Sequence, residues 1–533
     1  MNQEREAIVS EPVENVPGQI VTPPQPTSAM RRQWLRPMLT ILGVVGIFVG
    51  FAAWAASSPV GSSPDEGYHL ASIWCPRPIA SSGCQYTTEE GEITTVSVPE
   101  VIAESQKCLW DSSHVGSYCI DGLSETETVK TERFDNGAYP AGYYRLMRVF
   151  VGSNVDQSVF NMRVFNAMLG ISLLALCGAL STSELRRNLI LSSVVAFVPM
   201  GTFFVASVNP SSWSITGVLV YGASLYSSTE RTGWRRGALL GLSVLGAAMA
   251  VVSRGDASFF LFVVTLVIWV LVPVSRSNLR LLVVSGVIGV IGAANALSTG
   301  QGANLQGSGG WPIDLSINGL RVLVENIATW PEHVGRYWGL VSWGGSWLDI
   351  PVTGWSTIPM MMLAGGLIFA GLSVMSLRKG LALIVLSGAF AGIPIVSMTL
   401  RHVVPLQQYH GRYMLPLLSF VFFVLLLRSA TSRIELAPAQ VWLLIIVASI
   451  ANGFALQRVL RMHLMGVDGY ISLGFPRFLA RQWWPWQIAP EAVLWGGALA
   501  FAVGLSLLLG AVGALSSRTP REKSWLTEVK TSQ

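Results

Sequence analysis

Apolar runs of bilayer length recur along nearly the whole chain, and that repetition constrains the fold more than any other feature. Crossing a hydrocarbon core takes about 17–25 residues. Runs of that size fall at about 37–56, 163–181, 189–208, 212–228, 237–253, 257–274, 281–297, 357–376, 381–400, 413–428, 440–457 and 491–514. The expectation is an all-α polytopic membrane protein with about twelve transmembrane helices. Composition agrees: 12% of the 533 residues are charged and 51% hydrophobic, against about 25% charged in soluble domains. The polar break at Asn209-Pro210 leaves 189–228 as the stretch where the count is least fixed.

Orientation follows from the short loops. Arg31, Arg32 and Arg36 precede the first run, Arg186 and Arg187 follow the second, and Arg231, Arg235 and Arg236 the fourth. Arg276 and Arg280, Arg378 and Lys379, Arg428 and Arg433, and Arg518, Arg521 and Lys523 continue the alternation. With twelve spans all lie on one side, so both termini are expected in the cytoplasm. The net charge of +5 marks inward loops rather than a nucleic-acid partner. Residues 1–34 read as a disordered cytoplasmic tail, 35–516 as the membrane domain and 517–533 as a second tail.

Three long segments fall on the opposite side, at about 57–161, 298–356 and 458–490. Long loops on one face place the working surface there. The first holds Cys75, Cys84, Cys108 and Cys119, and an oxidising compartment implies two disulfides. Cys75–Cys84 with Cys108–Cys119 is the simplest of three pairings. Trp330, Trp338, Trp343, Trp347, Trp355, Trp483, Trp484 and Trp486 gather on the same side, as interfacial anchors or as faces for a sugar.

Chemistry concentrates in a few places. Ser63-Pro64-Asp65-Glu66-Gly67-Tyr68-His69 follows the first run and spells a capping box, with Ser63 at N-cap and Glu66 three residues on. Capping accounts for Glu66 as readily as catalysis does. It leaves Asp65 and His69, one helical turn apart, as a carboxylate–imidazole pair suited to general-base work or to holding a cation. Arg401-His402 and Gln407-Gln408-Tyr409-His410-Gly411-Arg412-Tyr413 form a basic, aromatic loop before the tenth run. Its cations suit phosphate oxygens, although Tyr413 also suits a membrane interface. Arg254-Gly255-Asp256 reads as a tight turn holding a local ion pair or a phosphate-facing cation. Asn209-Pro210-Ser211 reads as a turn, with Ser211 capping the next helix.

Four of these features resemble one family of bacterial membrane proteins, domain of unknown function 2142. They are Pro64-Asp65-Glu66 with His69, Tyr139-Pro140 with Tyr143-Tyr144, the Asn209-Pro210 turn, and Gly411-Arg412-Tyr413 with Pro416. In plan that family is similar to GT-C-fold glycosyltransferases, which move a sugar from a polyprenyl-phosphate carrier to an acceptor at the outer membrane face. The resemblance implies a multi-pass protein of the bacterial plasma membrane working on a cell-envelope glycan, lipid or protein. Asp65, with Glu66 and His69, would be catalytic, and Arg254, Arg401, His410, Arg412 and Tyr413 would bind the donor phosphate. Asn209, Tyr143 and Tyr144 would be lesser substrate contacts. Membrane lipids, the lipid-linked donor and the acceptor are the partners implied. Some proteins of that wider fold use a divalent metal and others none. The Asp65, Glu66 and His69 trio could ligate one, although hard cations prefer more oxygens. A polysaccharide polymerase or ligase would share these features. A transporter or flippase of lipid-linked sugars should instead place ionisable residues near the bilayer midplane.

Overall fold

A computed structural model describes residues 28–111, 113–299, 318–339, 354–406, 409–429, 432–466, 483–486 and 488–515. Gln407, Gln408, Trp343 and Trp347 and the tail from residue 517 lie outside them. The elements run α1 (Ser28–Ala56), α2 (Glu66–Trp74), β1 (Tyr86–Glu89), β2 (Glu92–Pro99), α3 (Glu100–Asp111), β3 (Thr128–Thr131), α4 (Gly142–Met147), α5 (Val155–Leu180) and α6 (Ser183–Phe197). There follow α7 (Met200–Val205), α8 (Ser211–Thr229), α9 (Gly233–Ser253), α10 (Gly255–Leu271) and α11 (Leu279–Ser298). The rest are α12 (Gly319–Ala328), α13 (Trp330–Gly335), α14 (Thr357–Leu372), α15 (Leu377–Leu400), α16 (Leu415–Leu425), α17 (Pro438–Met465) and α18 (Pro490–Ala511).

Every apolar run carries helix, because hydrocarbon offers the backbone no other partner. Among the described residues seven helices are long and apolar enough to cross a membrane, namely α1, α5, α9, α11, α15, α17 and α18. Three shorter apolar stretches, Gly255–Leu271, Thr357–Leu372 and Gly411–Leu425, accompany them. The third run is not one helix, since Pro199, which has no N–H to donate, separates α6 from α7. The first helix begins at Ser28, inside the segment expected as a tail.

Close packing depends on small residues. A Cβ on Gly46 of α1 would stand 2.8 Å from the Ala500 carbonyl, and one on Gly504 of α18 2.7 Å from the Ile47 nitrogen. The two backbones therefore touch, as membrane helices do where glycine lines the seam. At the basic end of the bundle, Arg428 reaches Glu184 at 3.3 Å and Glu230 at 3.2 Å, tying three short loops together.

The opposite end departs from an all-α reading. Residues 57–111 and 113–154 build a small domain around an antiparallel sheet ordered β1-β2-β3, with Tyr86 paired to Val96 and Val98 to Val129. Cys75 with Cys84, and Cys108 with Cys119, stand at disulfide distance. After α13 the chain runs inward: Tyr337 packs on Phe390 with ring centroids 4.7 Å apart, and the Trp338 indole donates to the Val195 carbonyl at 2.7 Å. Trp338 is therefore no interfacial anchor. Neither is Trp483, which is buried and donates to the Ala56 carbonyl at 2.9 Å; Trp355 and Trp486 remain exposed.

Candidate functional site

The turn after α1 is a modified capping box. The Ser63 backbone N–H donates to Glu66 Oε2 at 3.4 Å, which is the return bond of the motif, but the Ser63 hydroxyl caps nothing. Asp65 is the N-cap instead, its carbonyl accepting from the His69 N–H at 3.0 Å. Its backbone is left-handed, φ 58° and ψ 14°, a state that among non-glycine residues Asn and Asp adopt most readily.

The turn sends the two adjacent acids to different partners. Glu66 goes inward, fully buried, onto Arg163 of α5 at 2.6 Å. Asp65 faces the Gly-Arg-Tyr loop: its Oδ2 accepts from Arg412 Nη2 at 2.5 Å, with the Asp65 side chain 35% exposed and that of Arg412 only 3%. Burial pushes the Asp65 carboxyl up, but the Arg412 guanidinium, with His69 and Arg133, outweighs it and holds the group at about 2. Asp65 is thus a carboxylate at neutral pH. His69 is buried, its Nδ1 3.0 Å from the Tyr144 hydroxyl and its Nε2 without a hydrogen-bond partner. Burial pushes that imidazole down to about 3 despite the Asp65 charge, so it is neutral.

Around this pair lies an aromatic and cationic wall. Arg254, in the turn between α9 and α10, lies 4.9 Å from the centre of the Tyr413 ring and 5.5 Å from that of Tyr139. Arg412 lies 5.0 Å from the same Tyr413 ring. Stacking of this kind fixes a guanidinium's plane without neutralising it. Arg254 also chelates Asp256 at 2.8 and 2.7 Å and donates to the Ser211 hydroxyl at 3.2 Å. His410 packs edge-on against Tyr413 at 5.4 Å, and burial together with Arg412 holds it at about 3, hence neutral. Tyr139 closes the wall against His69, ring centres 5.3 Å apart. Its segment is pinned by buried Asp135, which accepts from the Tyr139 N–H at 2.8 Å, the Tyr68 hydroxyl at 3.2 Å and Arg77 Nε at 3.0 Å.

Residues 48–421 match the family described as a predicted membrane protein (DUF2142). The chain belongs to that family. The match spans the whole site, from Asp65 to Tyr413, and stops short of α17 and α18. Among curated proteins none matches the chain.

Of the residues singled out in the sequence, this member of the family brings together Asp65, His69, Tyr144, Arg254, His410, Arg412 and Tyr413. Others stand apart. Glu66 is consumed by Arg163, so it is neither a base nor a ligand facing Asp65. Asn209 is fully buried and donates to the Pro64 carbonyl at 2.9 Å while accepting from the Ser211 N–H at 2.9 Å; it supports the Asp65 turn and performs the capping expected of Ser211. Tyr143 faces inward, its hydroxyl accepting from Asn166 at 3.0 Å and its ring edge-on to Trp213. Arg401 closes α15, where its charge bears on Tyr409. The Asp65, Glu66 and His69 trio does not converge, and among the described residues no group of three His, Cys, Asp or Glu side chains could hold a metal ion. Tyr139, Asp135 and Arg163 escaped sequence reading as site residues. The Tyr139-Pro140 motif did mark the first, but nothing local distinguishes Asp135 or Arg163 from ordinary polar residues.

Proposed function

We propose that this protein is a glycosyltransferase of GT-C type with about twelve membrane spans, moving a sugar from a polyprenyl-phosphate carrier to a cell-envelope acceptor at the outer face. One observation carries the reading: the Asp65 carboxylate is paired with Arg412 beside a second guanidinium, Arg254, itself held by Asp256, across the shared Tyr413 ring. That is a base next to an anion site, at the end of a helix bundle where a lipid headgroup would lie.

The donor phosphate displaces Asp65 from Arg412 and takes its place in a charge-assisted contact, while Arg254, its Nε and Nη2 still on Asp256, adds its positive charge beside it. Freed of its cation, the Asp65 carboxylate regains basicity. It accepts the proton of the acceptor hydroxyl as that oxygen bonds to the sugar's anomeric carbon. The carbon–oxygen bond to phosphate breaks, and the electron pair leaves on polyprenyl phosphate, whose added charge the two guanidiniums stabilise. Neutral His69 packs beside Asp65 without competing for the phosphate. Purified protein in lipid nanodiscs, given a panel of labelled polyprenyl-phosphate sugars, should release polyprenyl phosphate and label an envelope acceptor. Failure to release it from every donor in the presence of envelope extract would overturn the proposal.

A further inference from the structure

Arg163 of α5 takes no part in the chemistry above, yet it is the most completely engaged cation near the site. It is 3% exposed, and all five of its N–H groups meet acceptors. Nε donates to Glu66 Oε1 at 2.9 Å and Nη2 to Glu66 Oε2 at 2.6 Å. Nη2 also donates to the Pro59 carbonyl at 2.8 Å, and Nη1 to the Ala55 carbonyl at 3.1 Å and to that of Ser58. Glu66 in turn accepts from the Ser63 and Val208 N–H groups, each at 3.4 Å. On the other flank Asn209 holds the Pro64 carbonyl. The residues immediately before and after Asp65 are therefore gripped from α5 and from the start of α8. Asp65 itself sits between them in a left-handed state that the backbone would not choose unaided.

We propose that Arg163 is a positioning residue: acting through Glu66, with Asn209 on the opposite flank, it fixes the direction in which the Asp65 carboxylate points. The inference rests on the reading of Asp65 as the base. Arg163 itself cannot bind substrate, because no donor is left over. Lysine cannot replace it, having three donors and no planar fork.

Two variants test this. Arg163→Lys keeps the charge and loses the fork. The double variant Arg163→Met with Glu66→Met removes the clamp while filling its volume, an exchange that buried ion pairs often tolerate. The double variant should lower kcat at least tenfold with the donor KM within twofold, and Arg163→Lys should do so in lesser degree. The infrared carboxylate band of Asp65, assigned by its loss in Asp65→Asn, should titrate at higher pH than in the wild type. A folded double variant with wild-type kcat and wild-type titration overturns the inference; if the double variant does not fold, the same result in Arg163→Lys does so. Should the wild type transfer no sugar, the functional reading fails, and the Asp65 titration alone still decides whether the clamp exists.

Discussion

Asp65→Asn separates chemistry from folding more cleanly than any other change at this site. The stability side is small. The ion pair it removes is 35% exposed at the aspartate, where water screens it. The asparagine oxygen can still accept from Arg412, itself only 3% exposed, so the loss should stay at about 1 kcal/mol. Asparagine also tolerates the left-handed backbone at φ 58°, so the turn survives. The melting temperature should move by less than about 4 °C. The rate side is large. Losing a positioned base costs about 10²–10⁴-fold, or about 2.7–5.5 kcal/mol of barrier. Asp65→Glu keeps the charge but moves the carboxylate by one methylene, and a misplacement near 1 Å already costs about 10²-fold. Asp65→Ala should lose both rate and stability, since alanine at positive φ is disfavoured by about 1–2 kcal/mol. The assay is release of polyprenyl phosphate in nanodiscs, with thermal melts on the same preparations. An Asp65→Asn protein that keeps more than about a tenth of the wild-type kcat would refute the base assignment.

The other consequences can be checked with the same material. Arg412→Ala should weaken binding of the polyprenyl-phosphate sugar donor by about 10–150-fold, the loss of a hydrogen bond to a charged group, while the acceptor KM stays unchanged; an unaltered donor Kd would refute it. His69 is depressed to about 3 in the folded protein, so the unfolded chain binds a proton that the folded one refuses. Its contribution is full above about pH 6.5 and falls toward about pH 3, at up to about 1.4 kcal/mol per unit. His69→Asn should therefore flatten the dependence of Tm on pH between those limits, and parallel curves would contradict the assignment. Replacing Cys75 and Cys84 together by serine opens a loop with a sequence separation of 9 and should cost about 2.5 kcal/mol by loop entropy. A reductant should then lower the melting temperature of the variant less than that of the wild type.

What could be read from the sequence depended on how local the physics is. Apolar runs announce their helices because hydrocarbon imposes the rule segment by segment, and all twelve runs carry helix. The extension of α17 to Met465 was hidden, since Arg461 and His463 look like loop residues and are in fact buried, His463 Nδ1 lying 3.2 Å from the Ser57 carbonyl. The β2 segment Glu92-Ile93-Thr94-Thr95-Val96-Ser97-Val98 carries a β-branched, alternating signal that its acidic surroundings masked. Residue types at the site were legible, but the pairings were not. Asp65 meets Arg412 across 347 positions and Glu66 meets Arg163 across 97. Only packing of α5 and of the Gly-Arg-Tyr loop onto the first turn decides which acid receives which arginine.

That decision divides the labour between two neighbouring acids. Glu66 is matched to a guanidinium with no spare donor, so its charge is permanently spent on the fold. Asp65 is matched to Arg412 at the edge of the wall, where the aspartate remains a third exposed and can be displaced. The proposed transfer also conserves charge within the site. Donor phosphodiester and Asp65 together carry two negative charges before reaction; leaving phosphomonoester and protonated Asp65 carry two after it. The proton thus removes the charge from Asp65 as the second charge arrives on the phosphate beside Arg412 and Arg254. Arg412, which held the carboxylate in the resting protein, is then left to the leaving group, with Arg254 beside it on Asp256. An acid bound as tightly as Glu66 could not make that exchange, which is why the left-handed turn at Asp65 matters more to this site than the capping box that introduces it.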